Sequence, residues 1–301
     1  MDDYFVPAGK GFTLPKKNTS TRSSRASNTV LMALPKGAEG DWGSVDRNYV
    51  IGGNWKSNGD CEFVNSFPKD VLNKTSFDAS KVEVVVAPTD LHLHTVKDLL
   101  AEGKVSASAQ DVSQYGRGAY TGNVTADQLT DAGIKWTLTG HSERRTLFKE
   151  TDEDVALKTK VALENGMNVM LCIGELLEER ESGKTGEVNA RQLQAVVDHI
   201  TESQWGNVVI AYEPVWAIGT GKVATPQQAQ DTHAEIRNWL ADAVSPAVAG
   251  ATRILYGGSV NGGNCADLIT NPDIDGFLVG GASLKPEFAD IIKAADAHKK
   301  Q

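Results

Sequence analysis

From Tyr49 onward the chain alternates between two apolar patterns. Short runs rich in Val, Ile, Leu and Ala end in small or polar residues at 49–54, 82–87, 104–110, 135–139, 168–174, 208–213, 253–257 and 276–280. Between them lie helical patterns such as 154–165, 189–201, 227–244 and 286–298. Strands alternating with helices predict parallel βαβ units. Eight strands over about 250 residues suit a closed (β/α)8 barrel better than an open doubly wound sheet. The strand runs lack a clean in–out alternation, as expected where helices cover one face and a barrel interior the other. No linker interrupts this block, so residues 48–301 read as a single α/β domain.

Residues 1–47 have a different pattern. Between Tyr4 and Ala38 stand six basic residues (Lys10, Lys16, Lys17, Arg22, Arg25 and Lys36) and no acidic one. The Ser/Arg-rich stretch 20–27 has no periodicity. Such a segment buries too little apolar area to offset the entropy of ordering, so disorder is its default. Its composition also suits an organelle transit peptide, although the acidic start Asp2-Asp3 and the lack of an amphipathic helix oppose that. A cytoplasmic protein with a bland extension and a mitochondrial or plastid protein with a targeting segment both stay open.

Composition narrows the function classes. With 40% hydrophobic and 23% charged residues the chain is globular, and no apolar run approaches the roughly 18 residues of a membrane span. A net charge of −9 opposes a nucleic-acid or anionic-membrane surface. Three cysteines without a CxxC pair (Cys61, Cys172, Cys265) point away from a disulfide framework or a thiolate metal site. His92 and His94, two residues apart, do not share a helix face, so no metal is expected. The sequons at Asn18, Asn73 and Asn123 lack a secretory context.

In a (β/α)8 barrel, chemistry gathers where strands end and loops begin. The sixth strand ends on a single carboxylate, Glu213, followed by Pro214 and a glycine-rich loop up to a helix start at Thr225-Pro226. The first ends Asn54-Trp55-Lys56, an amide and an ammonium. The fourth ends Gly140-His141-Ser142, with Ser142 a plausible helix cap. A helix start disfavours imidazolium, so His141 is expected neutral, with one N–H to donate. The last two strands end Gly257-Gly258-Ser259 and Gly280-Gly281. Two small-residue loops on adjacent strands, each leading into a helix, favour bound phosphate. Gly219-Thr220-Gly221-Lys222 is not a nucleotide-binding P-loop, because Trp216 and Val223 stand where that motif needs Gly and Ser or Thr.

Taken together, Asn54-Trp55-Lys56, Thr139 to Arg145, Ala211 to Gly221, Tyr256 to Ser259 and Gly280-Gly281 resemble the triosephosphate isomerase family in order and spacing across residues 48–301. The resemblance implies a TIM barrel that interconverts dihydroxyacetone phosphate and D-glyceraldehyde 3-phosphate in glycolysis and gluconeogenesis, with no metal or organic cofactor. It implies Glu213 as the base, neutral His141 as the electrophile and Lys56 as the stabiliser of the enediolate, with Glu143 behind Lys56. Asn54, Lys56, Gly219, Ser259, Gly280 and Gly281 would hold the substrate, and 214–222 would close as a lid. It implies a homodimer, with 116–121 reaching into the second subunit and Thr121 near that subunit's Asn54.

Two positions depart from the resemblance. Asn123 stands where the family usually has an acid paired with the position of Arg144, and Ser57 where it has a larger residue. A phosphosugar barrel acting on a longer substrate, and a barrel that binds a partner through its extension, are the competing readings.

Overall fold

The computed structural model describes residues 47–217 and 224–298. The expectations for 1–46 and for Gly219 therefore lie outside the described residues. All eight strands pair in parallel and in sequence order into a closed barrel: β1 (Tyr49–Asn54), β2 (Val82–Ala87), β3 (Val105–Ala109), β4 (Trp136–Thr139), β5 (Asn168–Ile173), β6 (Val208–Tyr212), β7 (Arg253–Tyr256) and β8 (Gly276–Val279). Closure runs from Val50↔Gly276 to Gly53↔Val279 between β1 and β8. The predicted strands are all present, several shorter by one residue at an end, because the small or polar tip residue has already left the ladder.

Side chains alternate between two cores. Val50, Leu138, Met170, Val209, Ala211, Leu255 and Leu278 fill the barrel interior. Ile51, Val84, Leu171, Ile210, Tyr212 and Ile254 face the helix layer. This period of two explains why the strands read as continuous apolar runs: both faces are buried. It also sets the tips. Continuing the inward set of β1 and β6 by two residues gives Asn54 and Glu213.

The helices cap as their sequences dictate. The helix Pro226–Ala243 begins with a capping box in which Thr225 accepts from Gln228 N and Gln228 Oε1 accepts from Thr225 N at 3.0 Å, with Pro226 in the first turn. None of the helices among the described residues is long and apolar enough to cross a membrane.

The end of the barrel opposite the strand tips is stapled by buried charge. Arg237 is fully buried and donates to Asp273 Oδ1 at 2.7 Å, Asp275 Oδ2 at 2.6 Å, Ala249 O at 2.6 Å and Thr252 O at 2.8 Å. Arg47 donates to the other oxygen of Asp275 at 2.8 Å and to Gly250 O at 3.1 Å. The two guanidinium groups thus join the starts of β1, β7 and β8, where the barrel closes. Arg237→Ala should lower stability by about 3–5 kcal/mol, because Asp273 and Asp275 would stay buried without that partner. Arg237→Lys should recover only part of the loss, since an ammonium cannot reproduce the fork. Denaturant midpoints of the three proteins provide the check.

Candidate active site

Trp55 sets the geometry at the tip of β1. It is fully buried, with its ring edge-on to Phe63 and Phe67 at centroid distances of 5.1 and 5.8 Å. Anchoring Trp55 in the helix layer leaves Asn54 and Lys56 to the barrel mouth. Lys56 has φ 52°, a left-handed conformation uncommon for a residue with a side chain. The strain is held by Gln110 Nε2, which donates to Lys56 O at 2.8 Å, and by Asn54 Oδ1, which accepts from Lys56 N at 3.0 Å. Lys56 Nζ lies 2.7 Å from Glu143 Oε1.

At the tip of β4, Gly140 (φ 71°) turns the chain away from the ladder. His141 then caps the helix Ser142–Leu147: its Nδ1 accepts from Glu143 N at 3.2 Å. The cap expected at Ser142 is therefore His141, and Ser142 is the first helical residue. Its N–H does different work, donating to Glu213 Oε2 at 3.0 Å. The other oxygen of Glu213 lies 2.9 Å from His141 Nε2. Because Nδ1 accepts a backbone N–H, the ring proton sits on Nε2 and is donated to the carboxylate.

Space for Glu213 comes from its neighbours. A Cβ on Gly174 would lie 1.7 Å from Glu213 O, so only glycine lets the end of β5 pass there. Asn54, Lys56, His141, Glu213, Ser259, Gly280 and Gly281 line one cavity of about 370 Å³. Every predicted site residue among the described ones therefore meets at one place.

Burial alone would raise the Glu213 carboxyl. The imidazole beside it and the Ser142 N–H override burial and hold it below the ordinary carboxylate value. Burial alone would lower His141, and the Glu213 carboxylate overrides that too, holding the ring above its ordinary value while the two stay paired. That attraction belongs to the paired arrangement. The neutral ring expected from the helix start is thus opposed, in this arrangement, by the carboxylate beside it.

Sequence reasoning passed over two further groups, Glu175 and the pair Lys285 and Glu287, and left the partners of Arg144 open. Glu175 is fully buried and accepts from Tyr212 OH at 3.0 Å, Trp216 Nε1 at 2.9 Å and Arg180 Nη1 at 3.1 Å. It thereby fixes the start of the loop after β6, where Val215–Ala217 forms a single 3₁₀ turn. The carboxylate sits just past the tip of β5, so the strand-end rule applied to all eight strands would have found it. Lys285 and Glu287 also line the cavity, although they stand outside the glycine motif. Arg144, left without its expected partner at position 123, pairs within its own chain with Asp111 at 2.9 Å and Glu150 at 2.5 Å. Among the described residues no group of three or more His, Cys, Asp or Glu is arranged to hold a metal ion.

Comparison with known proteins places this site in context. Residues 49–295 match the family model described as Triosephosphate isomerase. The chain is 55% identical over 253 residues to the triosephosphate isomerase of Coprinopsis cinerea, covering 84% of this chain and 100% of that one. It is 53% identical over 250 residues to that of Paracoccidioides lutzii, covering 83% of this chain and 99% of the relative. It is 51% identical over 252 residues to the chloroplastic triosephosphate isomerase of Secale cereale, covering 83% of each.

The lowered Glu213 carboxyl has a consequence for stability. A folded-state value below the unfolded one, about 4.3 for glutamate, contributes stability above that pH and loses it as the pH falls through the folded value. Thermal midpoints of the wild type and Glu213→Gln from pH 7 to 3 should show any wild-type advantage shrinking below about pH 4.3. An advantage that grows below about pH 4.3 would contradict the pairing, whereas the raised His141 allows growth only nearer neutral pH.

Proposed function

The chain belongs to the triosephosphate isomerase family, and on that premise we propose that it interconverts dihydroxyacetone phosphate and D-glyceraldehyde 3-phosphate through an enediolate, in glycolysis and gluconeogenesis. The observation that carries this reading is the convergence of Glu213, His141, Lys56 and Asn54 on one cavity floored by two small-residue loops.

In this reading the substrate phosphate rests on backbone N–H groups at Ser259, Gly280 and Gly281, with Gly219 added from the loop after β6. The substrate carbonyl competes for His141 Nε2–H, which releases the Glu213 carboxylate. Glu213 then removes a proton from C1 of the ketose and the electron pair passes to the C2 oxygen, giving the enediolate. His141 exchanges a proton between the two oxygens, and Glu213 returns its proton to C2. Lys56 lies beside the developing negative charge, and Asn54 holds substrate oxygen. The phosphate ester is unchanged.

The magnitudes agree. General-base help supplies about 10²–10⁴ in rate, roughly 3–5 kcal/mol. Each well-aimed donor to the oxyanion adds about 3–4 kcal/mol. One base, one neutral donor and one cation thus lower the barrier substantially without a metal or organic cofactor. Closure of 214–222 would protect the enediolate phosphate from water and from loss of phosphate.

A homodimer is part of the proposal. It is supported by the exposed apolar side chains Leu91, Leu147 and Phe148, and by the exposed, stacked rings of Tyr115, which flanks 116–121, and Tyr120 within it. We place the catalytic set in the barrel and assign the expected extension, 1–47, a separate role up to Arg47, which the barrel buries. Cytoplasmic placement is the default, and a mitochondrial or plastid one follows if 1–47 is a transit peptide.

A coupled assay interconverting the two trioses should give turnover that EDTA leaves unchanged. Glu213→Gln should cut kcat at least about 100-fold, the low end of a lost general base, while inorganic phosphate still binds. Wild-type turnover in that variant would overturn the assignment, and metal dependence would overturn the cofactor-free mechanism.

A further inference from the structure

Two charged side chains line the cavity without a place in the proposed chemistry, Lys285 and Glu287. A carboxylate at a site proposed to take a phosphate works against the ligand's charge, so its presence needs another reason.

The loop after β7 is braced from within. Asn264 Nδ2 donates to Ser259 O at 2.9 Å, and Gly263 N donates to Asn261 Oδ1 at 2.8 Å. Residues 259–264 are thereby tied to one another. On the other side, Gly262 N donates to Glu287 Oε2 at 3.2 Å. A Cβ on Gly262 would meet Glu287 and Asp290 within 4.0 Å, so the loop lies directly on the start of the helix Phe288–Ala297. That helix is a firm mooring. Phe288 is fully buried, and a Cβ on Gly53 would lie 3.1 Å from its Cζ, so it packs against β1. Lys285 Nζ lies 3.7 Å from Glu287 Oε1 and offsets its charge.

We infer that Glu287 is a positioning residue for the substrate phosphate: its carboxylate ties the loop after β7 to the helix after β8, and so sets the spacing of the two small-residue loops. The inference rests on the proposed phosphate ligand. What matters is the acceptor and its reach, not the negative charge. Shortening the side chain by one methylene removes the strap and keeps the charge, whereas an amide oxygen keeps the strap and removes the charge.

The test uses the full-length protein and inorganic phosphate, titrated calorimetrically, beside steady-state kinetics in both directions. Glu287→Asp and Glu287→Ala should weaken phosphate binding and raise KM for the trioses by roughly 5- to 10-fold, the worth of one ordinary net hydrogen bond. Their kcat should stay within about threefold, because Glu213, His141 and Lys56 are untouched, whereas general-base loss would cost far more. Glu287→Gln should bind phosphate within about twofold of wild type, since it keeps the acceptor. Melting curves identify any variant that is not folded, and the Asp and Gln variants carry the comparison if Ala is lost. Unchanged binding in Asp, or a Gln variant as weak as Ala, would overturn the inference. Intact triose turnover with no such pattern removes this inference alone. The pattern with phosphate, in a wild type that turns over neither triose, removes the isomerase reading and leaves the strap standing.

Discussion

Glu213 is a carboxylate buried at the mouth of a barrel, and the surrounding structure answers the cost of that burial. An ionised carboxylate taken out of water needs partners for its oxygens. One oxygen takes the His141 Nε2 proton and the other the Ser142 N–H. Both donors come from a single turn after β4. Gly140 aims that turn, and the Glu143 N–H on Nδ1 fixes its tautomer. The same turn thus satisfies the carboxylate and fixes which ring nitrogen faces it. Lys56 is held apart, on Glu143, so the cation does not neutralise the base directly.

This arrangement depends on strand parity. A shift of one residue in β6 would send Glu213 into the helix layer and Tyr212 into the barrel. Tyr212 instead faces outward, where its hydroxyl meets the buried Glu175. Adjacent residues on one strand tip therefore serve two different carboxylates, one inside the barrel and one beneath the loop. Trp216 joins the second of these through its indole N–H, and Ser259 Oγ donates to Ala217 O at 2.9 Å. The start of the loop after β6 is moored both to β5 and to the loop after β7.

Much of this was legible in the sequence, for a physical reason. A parallel barrel repeats one signal eight times, and its chemistry sits at a place the repeat itself defines, so Asn54, His141 and Glu213 stand out as polar residues ending apolar runs. Helix starts such as Thr225-Pro226 were legible because capping is local. What stayed hidden is what depends on pairing across the chain. Ser142 looked like a cap because serine caps helices well, but the imidazole took that place and released the Ser142 N–H for Glu213. The Asp111 partner of Arg144 was unreadable, since it belongs to another segment brought in by the barrel, whereas Glu150 lies only six residues along the chain. Arg237 with Asp273 and Asp275 was missed for the same cause: charged residues in a sequence look solvated until closure buries them.

The two ends of the barrel answer the burial of charge in opposite ways. At the strand starts, each guanidinium fork meets fixed carboxylates and carbonyl oxygens, and bringing in another ligand would mean breaking bonds already made. At the strand tips, the carboxylate's partners are a backbone N–H and an imidazole, beside an open cavity. A buried ion pair with every partner fixed resists change, whereas one with an exchangeable partner responds to a ligand. The cavity at the tips is lined by small-residue backbone at Gly257, Gly258, Gly280 and Gly281. The barrel thus carries a stapled floor of fixed ion pairs at one end and, at the other, the Glu213–His141 pair facing an open cavity.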